Sequence, residues 1–371
     1  MSPDGSQAHI APDLRCVAKT GNAFCKSIVE RNIPRQPCTS GIDENLESNC
    51  FKEAQFSPDG TTIVTHSEDQ RLRSFVLPPD LLVEQPRPHN LEAYTTHHSP
   101  TTIQSYAIHP HFSLADPDTT MMLSCATDLP IRLRSVLDYN YCHASYSFVD
   151  ANTEEYIAPT SLTFINDGQQ FVAGGQARIA IFDLSRNGSG PILVHKTKSP
   201  RAAYGEPSMR CSGRIMALDV SSDGVLAAGS TNRNIGLFGA SGHGQCESRF
   251  SIQPEPELKG VLRGSGVTTL KWSPCGRYLL VAERQSDVVQ IYDVRGSFRR
   301  LGWLSGREAD TTQRMGIDVV PTAEGFEVWA GGQDGRVRMW HNPGSVEGEH
   351  TPDADFSMHE DTVSSLSLIH I

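Results

Sequence analysis

The stretch FKEAQFSPDGTTIVTHSEDQRLRSFVLP, Phe51 to Pro78, sets the pattern for the whole chain. It predicts three short strands joined by two tight turns. Ser57-Pro58-Asp59-Gly60 is a turn signature, because proline presets φ and glycine accepts a positive φ. Thr61 to His66 is β-branched and alternating, which suits a half-buried strand. A polar turn at Glu68-Asp69-Gln70 then leads into the third strand, so the stretch forms one antiparallel unit.

The same unit recurs along the chain with different residues. Five further copies lie at Thr102–Arg134, Pro159–Ser185, Gly213–Ala240, Gly266–Gly296 and Thr312–Pro343. Their turns lie roughly 45 to 57 residues apart, close to the period of four-stranded WD-type propeller repeats. One such sheet cannot bury both faces alone, so stacking around an axis supplies the core. We therefore predict an all-β fold, a WD40-type β-propeller with seven blades, of which the last is incomplete.

The third strands end where a WD repeat carries its Trp-Asp pair. Three of these endings are Ile181-Phe182-Asp183, Ile291-Tyr292-Asp293 and Met339-Trp340-His341. Only Trp340 is the expected tryptophan, and Arg134-Ser135 replaces the pair in the second unit, so the repeats are degenerate. Aspartates in the turn before the third strand are expected to bond loop backbone or a histidine; they are Asp69, Asp128, Asp287 and Asp334.

The two ends of the chain bear on how the ring closes. We predict a weakly ordered extension over residues 1–45, which could supply a closing strand, and a propeller over residues 46–371. The seventh unit begins after His359 and has a first strand, Thr362 to Leu368, without the strands that should follow. We expect this blade to be truncated, and expect an open sheet edge there to favour aggregation.

Composition narrows the class of protein. The chain has 371 residues and a formal net charge of −11, which argues against a general coat of nucleic-acid-binding charge. No apolar run is long enough to cross a membrane, and the N-terminus lacks the apolar core of a secretory signal. Nine cysteines show no CxxC spacing, so neither a disulfide framework nor a zinc site is expected. A reduced compartment, nuclear or cytoplasmic, fits best.

Motifs for chemistry are absent from the sequence. It contains no HExxH, GxSxG, Walker or GxGxxG pattern, so we expect no enzyme activity, cofactor, metal or small-molecule substrate. The glycine-rich Gly239–Gly244 is interpreted as a flexible loop. His97, His98, His109 and His111 lack ligand-spaced partners and are interpreted as solvated loop histidines.

Two segments are basic, although the chain as a whole is acidic. His195–Arg214 contains Lys196, Lys198, Arg201, Arg210 and Arg214. Arg295–Arg314 contains Arg295, Arg299, Arg300, Arg307 and Arg314, interleaved with Phe298 and Trp303. This mixture suits a groove that holds phosphates while bases stack, so RNA or an acidic partner is a candidate ligand. The alternative is a solvated rim whose aromatic side chains pack between blades.

Four stretches together resemble the telomerase Cajal body protein family of WD-repeat proteins. Leu77-Pro78-Pro79-Asp80-Leu81 resembles the family's LPPEL, and Asp128-Leu-Pro-Ile-Arg-Leu resembles its NPIHIWD. Asp150–Gly168 is similar to the family's third unit. Gly306–Arg314, GREADTTQR, is similar to its GRE-x-TTNQR segment.

This resemblance implies a non-enzymatic propeller that binds box H/ACA-class RNA and helps to assemble or localise nuclear ribonucleoproteins, in Cajal bodies among other places. Fungal members imply spliceosomal small nuclear ribonucleoproteins and pre-mRNA splicing instead. The family segment adds Glu308, Thr312 and Gln313 to the arginines as candidate contacts. Arg314 could equally be a structural residue with Glu308 as its partner. A protein-only interaction hub remains the main alternative, and an enzyme built on propeller loops is a third hypothesis.

Overall fold

The architecture is a ring of β-sheets with almost no helix. The computed structural model describes residues 14–21, 26–28, 46–197, 213–296 and 298–369. Within these residues, six sheets follow one another along the chain, each built on four antiparallel strands. We call them blades 1 to 6 and their strands a to d, in chain order. Three single 3₁₀ turns complete the described elements, at Pro117–Thr119, Ala240–Gly242 and Pro256–Leu258.

The strand bounds follow the repeat closely. Blade 1 consists of Phe51–Phe56, Thr62–Ser67, Arg71–Val76 and Thr95–His98. Blade 2 consists of Ile103–Ile108, Met121–Ala126, Ile131–Ser135 and Cys142–Tyr146. Blade 3 consists of Ser161–Ile165, Gln170–Gly175, Arg178–Asp183 and Leu193–Lys196. Blade 4 consists of Ile215–Val220, Leu226–Ser230, Asn234–Phe238 and Cys246–Ser251. Blade 5 consists of Val267–Trp272, Tyr278–Glu283, Val289–Asp293 and Arg299–Leu304, and blade 6 of Ile317–Thr322, Gly325–Gly331, Arg336–His341 and Ala354–Ser357.

Short strands extend or flank the blades. Gly348–His350 pairs in parallel with strand d of blade 5 and makes that sheet five-stranded. Ala18–Lys19 pairs in parallel with His89–Asn90, and Lys26–Ile28 pairs antiparallel with Leu46–Ser48. Much of residues 1–45 lies outside the described ranges, so the division of the chain at residue 46 stays a prediction.

Turn chemistry explains the strand endings in blade 1. Gly60 has φ 71°, which glycine adopts without strain. The hydroxyl of Ser57 donates to Asp59 at 2.6 Å and accepts from the Thr62 amide at 2.9 Å. The turn is therefore closed by its own side chains, as the sequence predicts.

The core lies between successive blades. Five apolar clusters each combine side chains from two neighbouring blades, one cluster for every junction from blades 1–2 to blades 5–6. Strand c contributes one large aromatic side chain to five of the blades; they are Phe75, Phe182, Phe238, Tyr292 and Trp340, all buried. Burying a side chain of this kind stabilises the fold by roughly 1.5–3 kcal/mol. The prediction of an all-β WD40 propeller is confirmed.

The predicted blade number is wrong, because the described residues form six blades and not seven. Residues 362–369 form no strand, so the expected incomplete last blade is not confirmed. The segment is instead held between blades 6 and 1. The Ser365 hydroxyl accepts from the Ala54 amide at 3.0 Å, and the Ser367 hydroxyl accepts from the Phe56 amide at 3.0 Å. On the other side, the Leu368 amide donates to Asp318 Oδ2 at 2.7 Å.

Within the described ranges, no helix is long and apolar enough to cross a membrane.

Candidate functional site

The inner strands surround a central cavity of about 340 Å³. Consecutive residues of each strand a line it, because the faces of the blades pack against one another and the edge of strand a borders the cavity. The lining carries three cationic and three anionic side chains: Lys52, Lys271, Arg314, Glu53, Asp219 and Asp318. This cavity is therefore polar and close to neutral overall.

The charges in the cavity are engaged with neighbouring groups. Lys271 Nζ lies 3.1 Å from Asp318 Oδ1, and Asp219 Oδ2 accepts from the Trp272 amide at 2.7 Å. Burial raises the pKa of Asp219 to about 6, although Lys271 opposes the shift. Burial also lowers the pKa of Lys271, but Asp318 and Asp219 outweigh it and raise that pKa overall. We interpret these groups as a mutually neutralised lining of the ring.

The Arg295–Arg314 segment starts on the rim of blade 5, where acidic side chains meet its arginines. Arg295 Nη2 lies 2.8 Å from Asp223 Oδ2 of blade 4, and both side chains are exposed. Arg299 is 75% exposed and lies 3.4 Å from Glu347. Arg300 is only 10% exposed and pairs with Glu255. Of these three, Arg295 and Arg299 present most of their surface to solvent.

The aromatic side chains of this segment pack against the protein. Phe298 stacks on Phe250 at a ring-centroid distance of 5.5 Å and joins the cluster between blades 4 and 5. Trp303 is half-buried on strand d, and its indole Nε1 is buried without a hydrogen-bond partner. The expectation that these rings stack with bases is untested. Their positions match the packed-rim alternative better.

Arg307 is a structural side chain. It is 1% exposed, its Nε donates to the Gly331 carbonyl at 3.3 Å, and its Nη2 donates to the Gly316 carbonyl at 3.0 Å. Its own carbonyl accepts from Arg338 Nη1 at 3.1 Å. Burial lowers the pKa of Arg307 to about 10, so the group is still charged at neutral pH. Arg307 thus joins blades 5 and 6, and a folded chain does not offer it to RNA.

The remaining candidates lie apart from one another. Gln313 is exposed, whereas Arg314 lines the central cavity. Glu308 forms no ion pair with Arg314; its carbonyl accepts from the Gln333 amide at 2.8 Å instead. Lys196 is exposed on strand d of blade 3. Lys198 and Arg201, like Arg210, lie outside the described residues. The fold therefore does not assemble the predicted residues into one continuous surface.

The turn aspartates take several roles. Asp69 pairs with Arg73, and Asp334 Oδ2 lies 2.5 Å from Arg338 Nη2. Asp287 Oδ1 accepts from the Ala309 amide at 2.6 Å, which is the predicted loop-backbone bond. The arginine partners were not predicted, although an arginine four residues after the aspartate is visible in the sequence.

Sequence reasoning missed a basic cleft between blades 1 and 2. Arg132 and Arg134 of blade 2 face His97 of blade 1 across it. His97 is half-buried on strand d, which corrects its interpretation as a solvated loop histidine. Burial lowers the pKa of His97 to about 4, with Arg134 and Arg132 adding to the effect. The signal in the sequence was the replacement of the WD pair by Arg134-Ser135.

Within the described part of the chain, no three His, Cys, Asp or Glu side chains lie close enough together to hold a metal ion. His111 Nε2 lies 2.7 Å from Asp167 Oδ1, which links the turns of blades 2 and 3.

Comparison with known proteins places these observations in context. The family "WD domain, G-beta repeat" matches residues 256–293, which include strands a to c of blade 5. The chain is 30% identical to "Guanine nucleotide-binding protein negative regulator 1" of Schizosaccharomyces pombe over 305 residues, 81% of this chain and 73% of that protein.

Animal proteins are similar over almost the same length of this chain. Human "Telomerase Cajal body protein 1" is 28% identical over 326 residues, 86% of this chain and 55% of that protein. The Drosophila melanogaster "Telomerase Cajal body protein 1 homolog" is 24% identical over 349 residues, 92% of this chain and 58% of that protein. The chain thus spans just over half the length of these two relatives.

Proposed function

Since the chain belongs to the telomerase Cajal body protein family of WD-repeat proteins, we propose that it is a nuclear, non-enzymatic scaffold that binds small nuclear RNA or its ribonucleoproteins. Its role is to help assemble or localise these particles, either spliceosomal particles in pre-mRNA splicing or box H/ACA particles. The observation that carries the proposal is similarity to proteins named for telomerase and the Cajal body across most of the chain.

The rim of blade 5 is the first proposed contact for RNA. Arg295 and Arg299 are exposed, and their ion pairs are with carboxylates that are themselves exposed. Exposed pairs contribute little to stability, so an RNA phosphate can replace the carboxylate at small cost. Lys196 and Gln313 are exposed as well, at other places on the surface.

Crosslinking tests this proposal. RNA crosslinked to the protein in cells and then sequenced should be enriched in small nuclear or nucleolar RNA. In vitro, Arg295→Gln with Arg299→Gln should weaken RNA binding and reduce its salt slope by about two, because two phosphate contacts are lost. The control is Arg186→Gln, which makes the same substitution at an exposed arginine of blade 3. Recovery of no small RNA above background would refute RNA binding.

A protein-only hub is the second candidate, and two observations favour it. The arginines of the rim are matched by acidic side chains, and Phe298 and Trp303 are packed. The fission yeast relative is named for a protein that it regulates. This hypothesis predicts that partners recovered with the protein remain after nuclease treatment. Partners lost on nuclease treatment would instead indicate an RNA-dependent assembly.

A further inference from the structure

Blade 2 departs from the repeat at one buried position. At or next to the end of strand c, each of the other five blades has an aromatic residue that pairs with a residue of strand b, as Phe182 lies opposite Phe171. In blade 2 the residue at this position is Arg134, opposite Met122 and 7% exposed. A buried guanidinium is unfavourable unless it is hydrogen-bonded and compensated. Arg134 donates to the Tyr139 carbonyl at 2.6 Å, which satisfies one of its donors.

Its neighbour Arg132 also lacks the compensation that equivalent arginines have. Arg73 and Arg338 occupy the same place on strand c of blades 1 and 6, and each pairs with an aspartate four residues earlier. Asp128 precedes Arg132 by four residues but forms no ion pair with it. Among the described residues, no carboxylate lies within ion-pair distance of Arg132 or Arg134. Burial lowers the pKa of His97, with Arg134 and Arg132 adding to the effect, and burial together with the charge of Arg132 lowers the pKa of Arg134.

A cleft leads to these side chains. It lies between strand d of blade 1 and strands b and c of blade 2, and Ser99 and Ser124 add hydroxyl groups to its wall. Tyr139 is fixed behind it, because its hydroxyl lies 2.6 Å from Ser74 Oγ and its ring 5.9 Å from that of His97. The cleft has a volume of about 20 Å³, room for one or two waters. A ligand therefore places a single small group at its mouth.

We propose that the mouth of this cleft is a phosphate-binding site, formed by Arg132, Arg134 and His97 with the hydroxyls of Ser99 and Ser124. Guanidinium groups present paired N–H donors that match phosphate oxygens, and a dianion relieves the repulsion between the two arginines. The phosphate belongs to an RNA backbone, an assignment that rests on the proposed function. Free phosphate is the other source of the same chemistry.

Inorganic phosphate is the first probe. Phosphate should raise the melting temperature of the wild type and move the NMR titration of His97 to higher pH, since a bound anion favours the protonated imidazole. Arg134→Phe restores the aromatic of the repeat and should melt no lower than the wild type without phosphate, while its phosphate affinity falls at least tenfold. Arg132→Gln, which leaves the buried position intact, should weaken phosphate binding by a similar factor. Equal phosphate binding in the wild type and both variants would overturn the site.

The source of the phosphate is tested separately. A single-stranded RNA oligonucleotide should displace phosphate from the wild type, and Arg134→Phe should weaken RNA binding. If a phosphoserine peptide displaced phosphate but RNA did not, the assignment of the phosphate to RNA would be wrong and the phosphate site would still stand. If the wild type bound RNA but had no affinity for phosphate, the proposed phosphate site would be wrong and the proposed function would still stand.

Discussion

Replacement of Arg307 by alanine should destabilise the propeller without a direct effect on RNA binding. The side chain is 1% exposed and donates two hydrogen bonds to backbone carbonyls, at 3.3 and 3.0 Å. A hydrogen bond that involves a charged group contributes about 1.5–3 kcal/mol, and truncation leaves buried carbonyls without these donors. The 3.3 Å hydrogen bond is assigned the lower value of this range, because it is the longer of the two. The expected loss in free energy of unfolding is therefore about 3–5 kcal/mol.

Urea unfolding followed by tryptophan fluorescence measures this loss. Arg307→Lys keeps the charge but lacks the planar guanidinium that reaches both carbonyls, so its loss in free energy of unfolding should be intermediate. Arg299→Ala is the matched control, because that side chain is 75% exposed and should change stability by less than 1 kcal/mol. If Arg307→Ala lost less than 1 kcal/mol and also lost RNA affinity, Arg307 would be an interface residue and the structural interpretation would be wrong.

Three further predictions test other parts of the ring. Asp69→Ala should lower the free energy of unfolding by about 3–5 kcal/mol, because it removes the carboxylate that pairs with the buried Arg73; a loss below 1 kcal/mol in urea unfolding would contradict this. Ser365→Ala with Ser367→Ala should speed hydrogen exchange of the two strand a amides of blade 1 that donate to these hydroxyls, and unchanged exchange would exclude that anchoring. Burial lowers the pKa of His66 from 6.5 to about 4, so below pH 6.5 the unfolded chain takes up the proton first, and stability should fall by about 3 kcal/mol between pH 6.5 and 4. His66→Gln should lose that part of the pH dependence in thermal unfolding, and an identical pH profile would refute the assignment.

Much of the blade architecture could be predicted from the sequence. Turn residues, alternating strands and the aromatic at the end of strand c are local signals, and they place strands a to c of each unit within a few residues. The blade number could not be read in the same way. Residues 362–368 alternate like a strand, but a strand also needs backbone partners. Here the backbone hydrogen bonds are isolated, such as Val363 to Gly332 and Gly316 to Ser364, and serine hydroxyls and the Asp318 carboxylate make the other contacts.

The site was harder to predict because charge density does not reveal ion-pair partners. Arg300, Arg299 and Arg295 meet acidic side chains that lie 45, 48 and 72 residues away in sequence. Only the fold brings these residues together. Arg307 shows the same limit, since its partners are backbone carbonyls that carry no sequence signal.

Arg134 is the opposite case, because its signal was present in the sequence. The missing tryptophan of the second unit was interpreted as degeneracy of the repeat. The structure shows that the arginine occupies the buried aromatic position itself. A charged residue at a core position is informative, because a buried charge has to be compensated by some partner.

We propose that this propeller holds small nuclear RNA at two surfaces, the cleft between blades 1 and 2 and the rim of blade 5. The most direct measurement is ultraviolet crosslinking in cells, followed by mass spectrometry of the RNA-linked peptides. We expect RNA-linked peptides that contain His97 and Arg132–Arg134, from the cleft between blades 1 and 2, and peptides that contain Arg295 or Arg299, from the rim of blade 5. Protein partners that withstand nuclease, with no RNA-linked peptide from either region, would contradict it.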